Sequence, residues 1–306
     1  MKNDARAIEL ETVDTATESY AQNVFRRLRR NKMGMLGLVM VLLVLTAVIF
    51  AKPLSFGHSP YTMLSPADLK PGETTPEFMA PNRNHILGTD ELGRDAWSRL
   101  LYGGRVSLLI GVVASFTSIA LGTLVGLISG YYGGWFDNLI MRFTDTMMSI
   151  PTLPLMVVLS AVLNGGVLNL ILILVIFGWM GDARIVRGIA LSLREQEYVE
   201  AARAIGASPW RIMFRHLLPN TAAPIIVSFS MSISSLIIYE ASLSYLGLGI
   251  PQPTPSWGNM LYNAQNYIFS APQLVWFPGL AIFFTSLGFN FFGDGLRDAI
   301  DPKLKL

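Results

Sequence analysis

The hydrophobic positions of this chain do not alternate with polar ones; they run together in long blocks. A helix needs about 20 mostly apolar residues to cross the hydrocarbon of a bilayer. Six stretches are candidates: Met33–Ala51, Val106–Gly130, Leu139–Leu163, a fourth that begins at Val167, Ala222–Leu246 and Gln273–Gly293. The fourth has the shortest uninterrupted run, Val167–Met180, before Asp182 and Arg184. It either re-enters the membrane or crosses it and continues as helix on the far side. Crossing parity favours the full span, because without it the arginines of segment 184–215 would lie outside. The blocks therefore predict an all-α, polytopic membrane protein with six transmembrane helices.

Lysine and arginine set the orientation, since cytoplasmic loops carry the excess. Arg26, Arg27, Arg29, Arg30 and Lys32 place the tail 1–32 in the cytoplasm. Arg184, Arg187, Arg194, Arg203, Arg211 and Arg215 place the connection between the fourth and fifth spans there too. Arg297, Lys303 and Lys305 do the same for the end, 294–306. The loops 164–166 and 247–272 hold no Lys or Arg and fall outside. The resulting order is tail 1–32, first span with its outer loop 33–105, five-helix core 106–293 and tail 294–306, with both termini cytoplasmic in an inner or plasma membrane.

Composition agrees. Hydrophobic residues make up 52% and charged residues 14%, against about 25% charged in soluble domains. A charge at the bilayer centre costs about 2.5–3.5 kcal/mol even on insertion scales. The first apolar block begins only near Met33, and no small-residue cleavage site follows it, so it reads as an uncleaved anchor. With no cysteine there is no disulfide and no thiol chemistry, and a net charge of +2 is too small to imply a nucleic-acid partner.

The outer segment Lys52–Arg105 is irregular in its Pro- and Gly-rich first half, and about Arg94–Tyr102 reads as a short amphipathic helix. Arg94, Arg99 and Arg105 run against the inside bias there; Asp90, Glu91 and Asp95 partly offset them. In the second span Ala114, Ser118, Gly122, Gly126 and Gly130 recur every four residues. Small residues at that spacing let helix backbones approach closely, either at the bundle centre or a subunit interface, or in ordinary packing within one bundle.

Segment 183–220 carries the most information. A charged amphipathic stretch, about Leu193–Ile205, is followed by Gly206, which suits the left-handed residue that ends a helix. Ser208-Pro209 then reads as an N-cap with proline in the first turn. A second short helix runs to about Leu217, and Pro219 closes it. The expected shape is an exposed cytoplasmic helix–turn–helix.

The order Glu200-Ala201-Ala202, three residues, Gly206, nine residues, His216, then Leu218-Pro219 resembles the EAA loop of ABC importer permeases, with His216 where the family has Ile. Further segments resemble the oligopeptide/dipeptide/nickel branch, and within it the C-type subunit of a peptide permease: His85-Ile86-Leu87-Gly88-Thr89-Asp90, Gly93-Arg94-Asp95, Ser244-Tyr245-Leu246-Gly247-Leu248-Gly249, Pro255-Ser256-Trp257-Gly258 and Asn290–Asp298. The resemblance implies the type I ABC importer permease fold and an EAA loop that docks on an ATPase through Glu200, Ala201, Ala202, Gly206, His216 and Pro219. It also implies a second homologous permease subunit, two ABC ATPase subunits that bind ATP and Mg, and an extracytoplasmic substrate-binding protein, all assembled in membrane lipid. Bare side chains at Ala201, Ala202 and Gly206 would admit a partner surface to the backbone, and Glu200 offers a carboxylate. Peptides are the expected cargo, with nickel or glutathione as alternatives.

Among other candidates, Glu240 lies within the fifth span beside Ser232, Ser235 and Tyr239, and intramembrane carboxylates are commonly functional or paired. They either line a translocation path or hydrogen-bond between helices. Arg142 and Asp145, three apart, can pair on one helix, and Pro151 and Pro154 suggest a kink. His58, His85 and His216 look scattered, two outside and one inside, so no metal site is expected. Asp294, Arg297, Asp298 and Asp301 read as a cap on the last helix. There is no GxxxxGK[ST] loop and no nucleophile–base set, so the chain itself is expected to bind no cofactor and to catalyse nothing. An ion-coupled carrier without an ATPase, or a non-transporting scaffold, would leave the cytoplasmic helix–turn–helix without a purpose.

Overall fold

The computed structural model describes residues 20–69 and 75–300. Among them, extended pairing is limited to two isolated antiparallel bridges, Met63 with Arg94 and Thr89 with Asp95; the rest of the regular structure is helical. The first helices are α1 (Tyr20–Arg30), α2 (Lys32–Ile49) and the short α3 (Ala51–Leu54). After the long connection come α4 (Ala96–Tyr132), α5 (Gly134–Ser149), α6 (Thr152–Val162) and α7 (Val167–Leu193). Next are α8 (Glu197–Ala204), α9 (Pro209–Ile212) with a π turn at Met213–Leu217, and α10 (Leu218–Tyr245). The chain closes with α11 (Trp257–Ala264) and α12 (Gln273–Ile300).

Five helices are long and apolar enough to cross a membrane, and α5 with α6, bent by 85° between them, passes the same test as a pair, as a broken span or a re-entrant loop. Counting the bent pair as one span, this matches the sequence pattern, with three corrections of extent. The third span is not one helix over Leu139–Leu163: it breaks at Ile150-Pro151. A proline disfavours helical conformation at the preceding residue, and Ile150 is extended at φ −91°, ψ 133°. The second span starts at Ala96, not Val106, because the piece expected as a separate helix at Arg94–Tyr102 is the head of α4. Asp95 caps it, accepting from the Ser98 amide at 2.7 Å. The fourth, as crossing parity favours, is a complete helix of 27 residues, about 40 Å long. Pro219 does not end a helix: the chain runs helically from Pro209 to Tyr245, with the π turn just before the proline.

Glycine sets the closest helix contacts. A Cβ placed at Gly122 or Gly126 would lie 2.5 Å from the Trp179 carbonyl oxygen or 2.6 Å from that of Ala183, and one at Gly130 would lie 2.7 Å from the Ala190 Cβ. The stripe of small residues therefore faces α7 of the same chain. A second close pairing joins α2 to α12. There a Cβ at Gly34 would meet Gly295 Cα at 2.8 Å, and one at Gly37 would meet the Phe292 nitrogen at 2.4 Å. Asn31 caps α2, accepting from the Gly34 amide at 2.9 Å, and donates to Asp298 Oδ2 at 2.9 Å. Asp298 thus ties α12 to the foot of α2 from inside the helix, which runs on to Ile300, rather than capping it. Asp301, Lys303, Lys305 and most of the tail 1–32 lie outside the described residues.

Ion pairs fasten the arginine-rich end. Asp137 accepts two bonds from Arg187, each 2.5 Å, and one from Ser129, joining α5, α7 and α4. Asp145 pairs with Arg184 of α7. The expected Arg142–Asp145 pair within α5 gives way to this bond between helices.

Candidate functional site

The segment between α7 and α10 forms the helix–turn–helix that its residues suggest, with a different start. The helix α7 continues to Leu193, the chain breaks at Arg194–Gln196, and α8 begins at Glu197. Gly206 ends α8 at φ +81°. Its amide donates to the Arg203 carbonyl at 3.0 Å, and the Ala207 amide donates to that of Ala202 at 3.0 Å, the paired bonds of a Schellman ending. Ser208 then caps α9, its hydroxyl accepting from the Arg211 amide at 3.4 Å.

The two faces of this knuckle differ. Val199, Ile212, Met213 and Leu217 are buried and pack with Leu127 of α4 and with Val186 and Ala190 of α7. Ala202 belongs to this inner face, 7% exposed. Its expected role as a docking residue is corrected: Val199 and Ala202, three apart, share one side of the helix. Glu200, Ala201, Gly206 and Pro219 are exposed. His216 is half-buried, its ring 6.2 Å from that of Tyr198, so it bridges α8 to the π turn.

The sequence reading missed the apolar rim. Ile205 is 87% exposed and Trp210 54%, with Trp210 stacked on Phe214 at 5.7 Å. The available signal was a cluster of large apolar residues flanking the helix-ending glycine in a loop otherwise rich in charge. An exposed apolar rim around a bare turn marks a contact surface for a protein or a membrane.

Within the bundle, Glu240 has no exposed surface. Its carboxylate accepts from Ser107 at 2.9 Å and from Ser244 at 2.8 Å, and the Trp257 amide donates to the same Ser107 oxygen at 3.2 Å. This network locks α4, α10 and α11 together, and Glu240 lines no path in this arrangement. Ser235 is exposed; Ser232 and Tyr239 are half-buried. A cavity of about 480 Å³ opens elsewhere, between α4 and α10, lined by Phe116, Thr123, Leu127, Phe214, Leu218 and Phe229 among others.

On the opposite face the three arginines that broke the charge bias are all engaged, two of them by carboxylates. Arg94, fully buried, donates to Asp90 at 2.7 Å, Glu91 at 3.0 Å and Gln252 at 2.8 Å. Arg99 pairs with Asp90 at 3.2 Å and donates to the Pro60 carbonyl at 2.9 Å. Arg105 donates to the carbonyls of Val48 and Ile49 at 2.7 and 2.8 Å, satisfying the end of α2. Burial pushes the Glu91 carboxyl above its ordinary range, and the neighbouring Asp90 adds to the rise. Two of the three histidines are not scattered: the His58 and His85 rings lie 4.8 Å apart beside Asp95. Folding of the 55–95 connection brings them together across a separation that spacing alone does not reveal.

Five long apolar helices and a bent helix pair around a glycine-packed core, with a partly apolar knuckle projecting from one end, define a polytopic membrane protein. The chain belongs to the family of binding-protein-dependent transport system inner membrane components, matched over residues 122–306. Residues 19–71 match the N-terminal transmembrane domain of oligopeptide transport permease C. The glutathione transport system permease protein GsiD of Escherichia coli O6:K15:H31 is 45% identical, covering 92% of this chain and 90% of that protein. The dipeptide transport system permease protein DppC of Alkalihalophilus pseudofirmus is 40% identical, covering 93% and 90%. Among solved structures, a chain of the inward-facing MetNI methionine ABC transporter superposes with a TM-score of 0.53 at 22% identity, over 66% of this chain and 96% of that one. That likeness establishes the shared fold.

Proposed function

We propose that this chain is the C-type permease subunit of an ATP-driven peptide importer, forming half of the translocation pathway beside a second homologous permease. Two ABC ATPase subunits, carrying ATP and Mg, grip the knuckle from the cytoplasm, where both termini also lie. A substrate-binding protein docks on the other side against the connections 52–105 and 247–272. The observation that carries this reading is the two-faced knuckle. Its outer face offers Glu200, Ala201, Gly206, Ile205 and Trp210, while its inner face is packed on α4 and α7. A push on the outer face is therefore delivered to two spans through buried side chains that resist compression.

The likeness to GsiD and DppC supports short peptides as cargo, with glutathione, itself a tripeptide, as the second reading. The test of coupling is co-purification of the ATPase with the membrane complex. Glu200→Lys or Gly206→Asp is expected to abolish it while this chain still inserts. Nucleotide-independent uptake by vesicles holding this chain alone would overturn the reading. Competition between labelled dipeptide and glutathione in the full system separates the two cargoes.

A further inference from the structure

The face opposite the knuckle carries a constellation that no step above uses. His58 lies in the turn after α3, His85 in the connection before α4, and Asp95 at the head of α4. The His85 Nδ1 lies 2.8 Å from Asp95 Oδ2, while Asp95 Oδ1 accepts from the Ser98 amide at 2.7 Å. Ser98 Oγ donates to the His58 carbonyl at 2.9 Å, which fixes the His58 backbone against α4. Trp97 adds a 2.7 Å bond to the Leu54 carbonyl beside it. One ligand atom from each of His58, His85 and Asp95 lies within 4.8 Å of the other two. His85 and Asp95 are 5% and 4% exposed, and His58 is half-buried.

The chemistry of this set is selective. Among the described residues the His58 ring makes no hydrogen bond, and His85 uses only Nδ1. The nearby guanidinium groups of Arg94 and Arg99 are engaged by Asp90 and Glu91, so no arginine neutralises Asp95. A carboxylate that holds one nitrogen of a histidine, leaving the other free, is the arrangement that orients a metal-ligating imidazole. Imidazole nitrogens suit zinc-class divalent ions at about 2.0–2.1 Å, whereas Mg²⁺ and Ca²⁺ require oxygen ligands.

We propose that His58 and His85, with Asp95 positioning His85, bind a divalent transition-metal ion of the zinc class, with water in the remaining positions. The ion ties the turn after α3 and the connection before α4 to the head of α4. This inference stands apart from the cargo and from the ATPase contact.

The test is Zn²⁺ binding to the full complex, purified without a polyhistidine tag, stripped with a chelator and titrated against a chromophoric competitor. Wild type is expected to take up an ion that His58→Ala and His85→Ala each lose. Asp95→Asn keeps the helix cap and is expected to weaken binding about 10–100-fold. His58 makes no side-chain hydrogen bond, so His58→Ala is expected to unfold at the wild-type temperature without metal, while losing the Zn²⁺-dependent rise that wild type shows. Equal Zn²⁺ uptake by wild type and His58→Ala, or no uptake by wild type, overturns the proposal.

Discussion

Gly206 shows how much one residue can determine. At φ +81° with open space around it, it can be replaced by alanine without a clash, but the left-handed backbone then costs about 1–2 kcal/mol. Gly206→Ala is expected to leave membrane insertion intact and to weaken coupling, read as a rise in nucleotide hydrolysed per transported solute. Glu240 works in the opposite way, through enclosure. Glu240→Ala leaves the Ser107 and Ser244 hydroxyls without their acceptor, at about 1–3 kcal/mol, and should lower the thermal unfolding temperature in detergent more than Glu240→Gln does. Glu91 brings pH dependence. Its folded carboxyl binds a proton more tightly than the unfolded one, because burial and Asp90 raise it above 4.5. Stability should therefore fall as pH climbs from about 4.5 through the raised value, then level off. Glu91→Gln should flatten that slope in a pH series of unfolding midpoints. Gly206 was legible in the sequence because a glycine followed by Ser-Pro is a local signature. Glu240 and Ala202 were not, because which side of a helix meets a neighbour depends on tertiary packing.

Helices repeat that division. Long apolar blocks announced every crossing, since the bilayer imposes a length that composition must meet. Their ends were less legible: polar residues at the head of α4 concealed its start at Ala96, and only crossing parity, not hydropathy, carried α7 past Asp182 and Arg184. The glycine stripe was visible, but not its partner. That partner is α7, so Gly126→Val is expected to push the Ala183 carbonyl away. Such overpacking costs about 1–3 kcal/mol, and the chain should lose resistance to protease in native membranes. The partner of Asp145 was likewise beyond the reach of spacing, because Arg184 comes from another helix.

At the scale of the molecule, family membership rests on whole-chain likeness, whereas the apolar rim at Ile205 and Trp210 emerges only once the knuckle is folded. Trp210→Glu should weaken ATPase retention without altering insertion, measured by pull-down of the assembled complex. The uninterrupted α4 is 37 residues long and contains no proline, so it reaches about 55 Å from end to end, well beyond the roughly 30 Å of hydrocarbon. Its two tips therefore lie beyond the hydrocarbon on opposite sides, the first of them buried among the outer connections at Ala96, Ser98 and Arg99. A stiff rod pivoting near its midpoint moves them in opposite directions, by about 5 Å each for a ten-degree tilt of that length. Along this beam the two rims cannot spread at the same moment: widening one narrows the other.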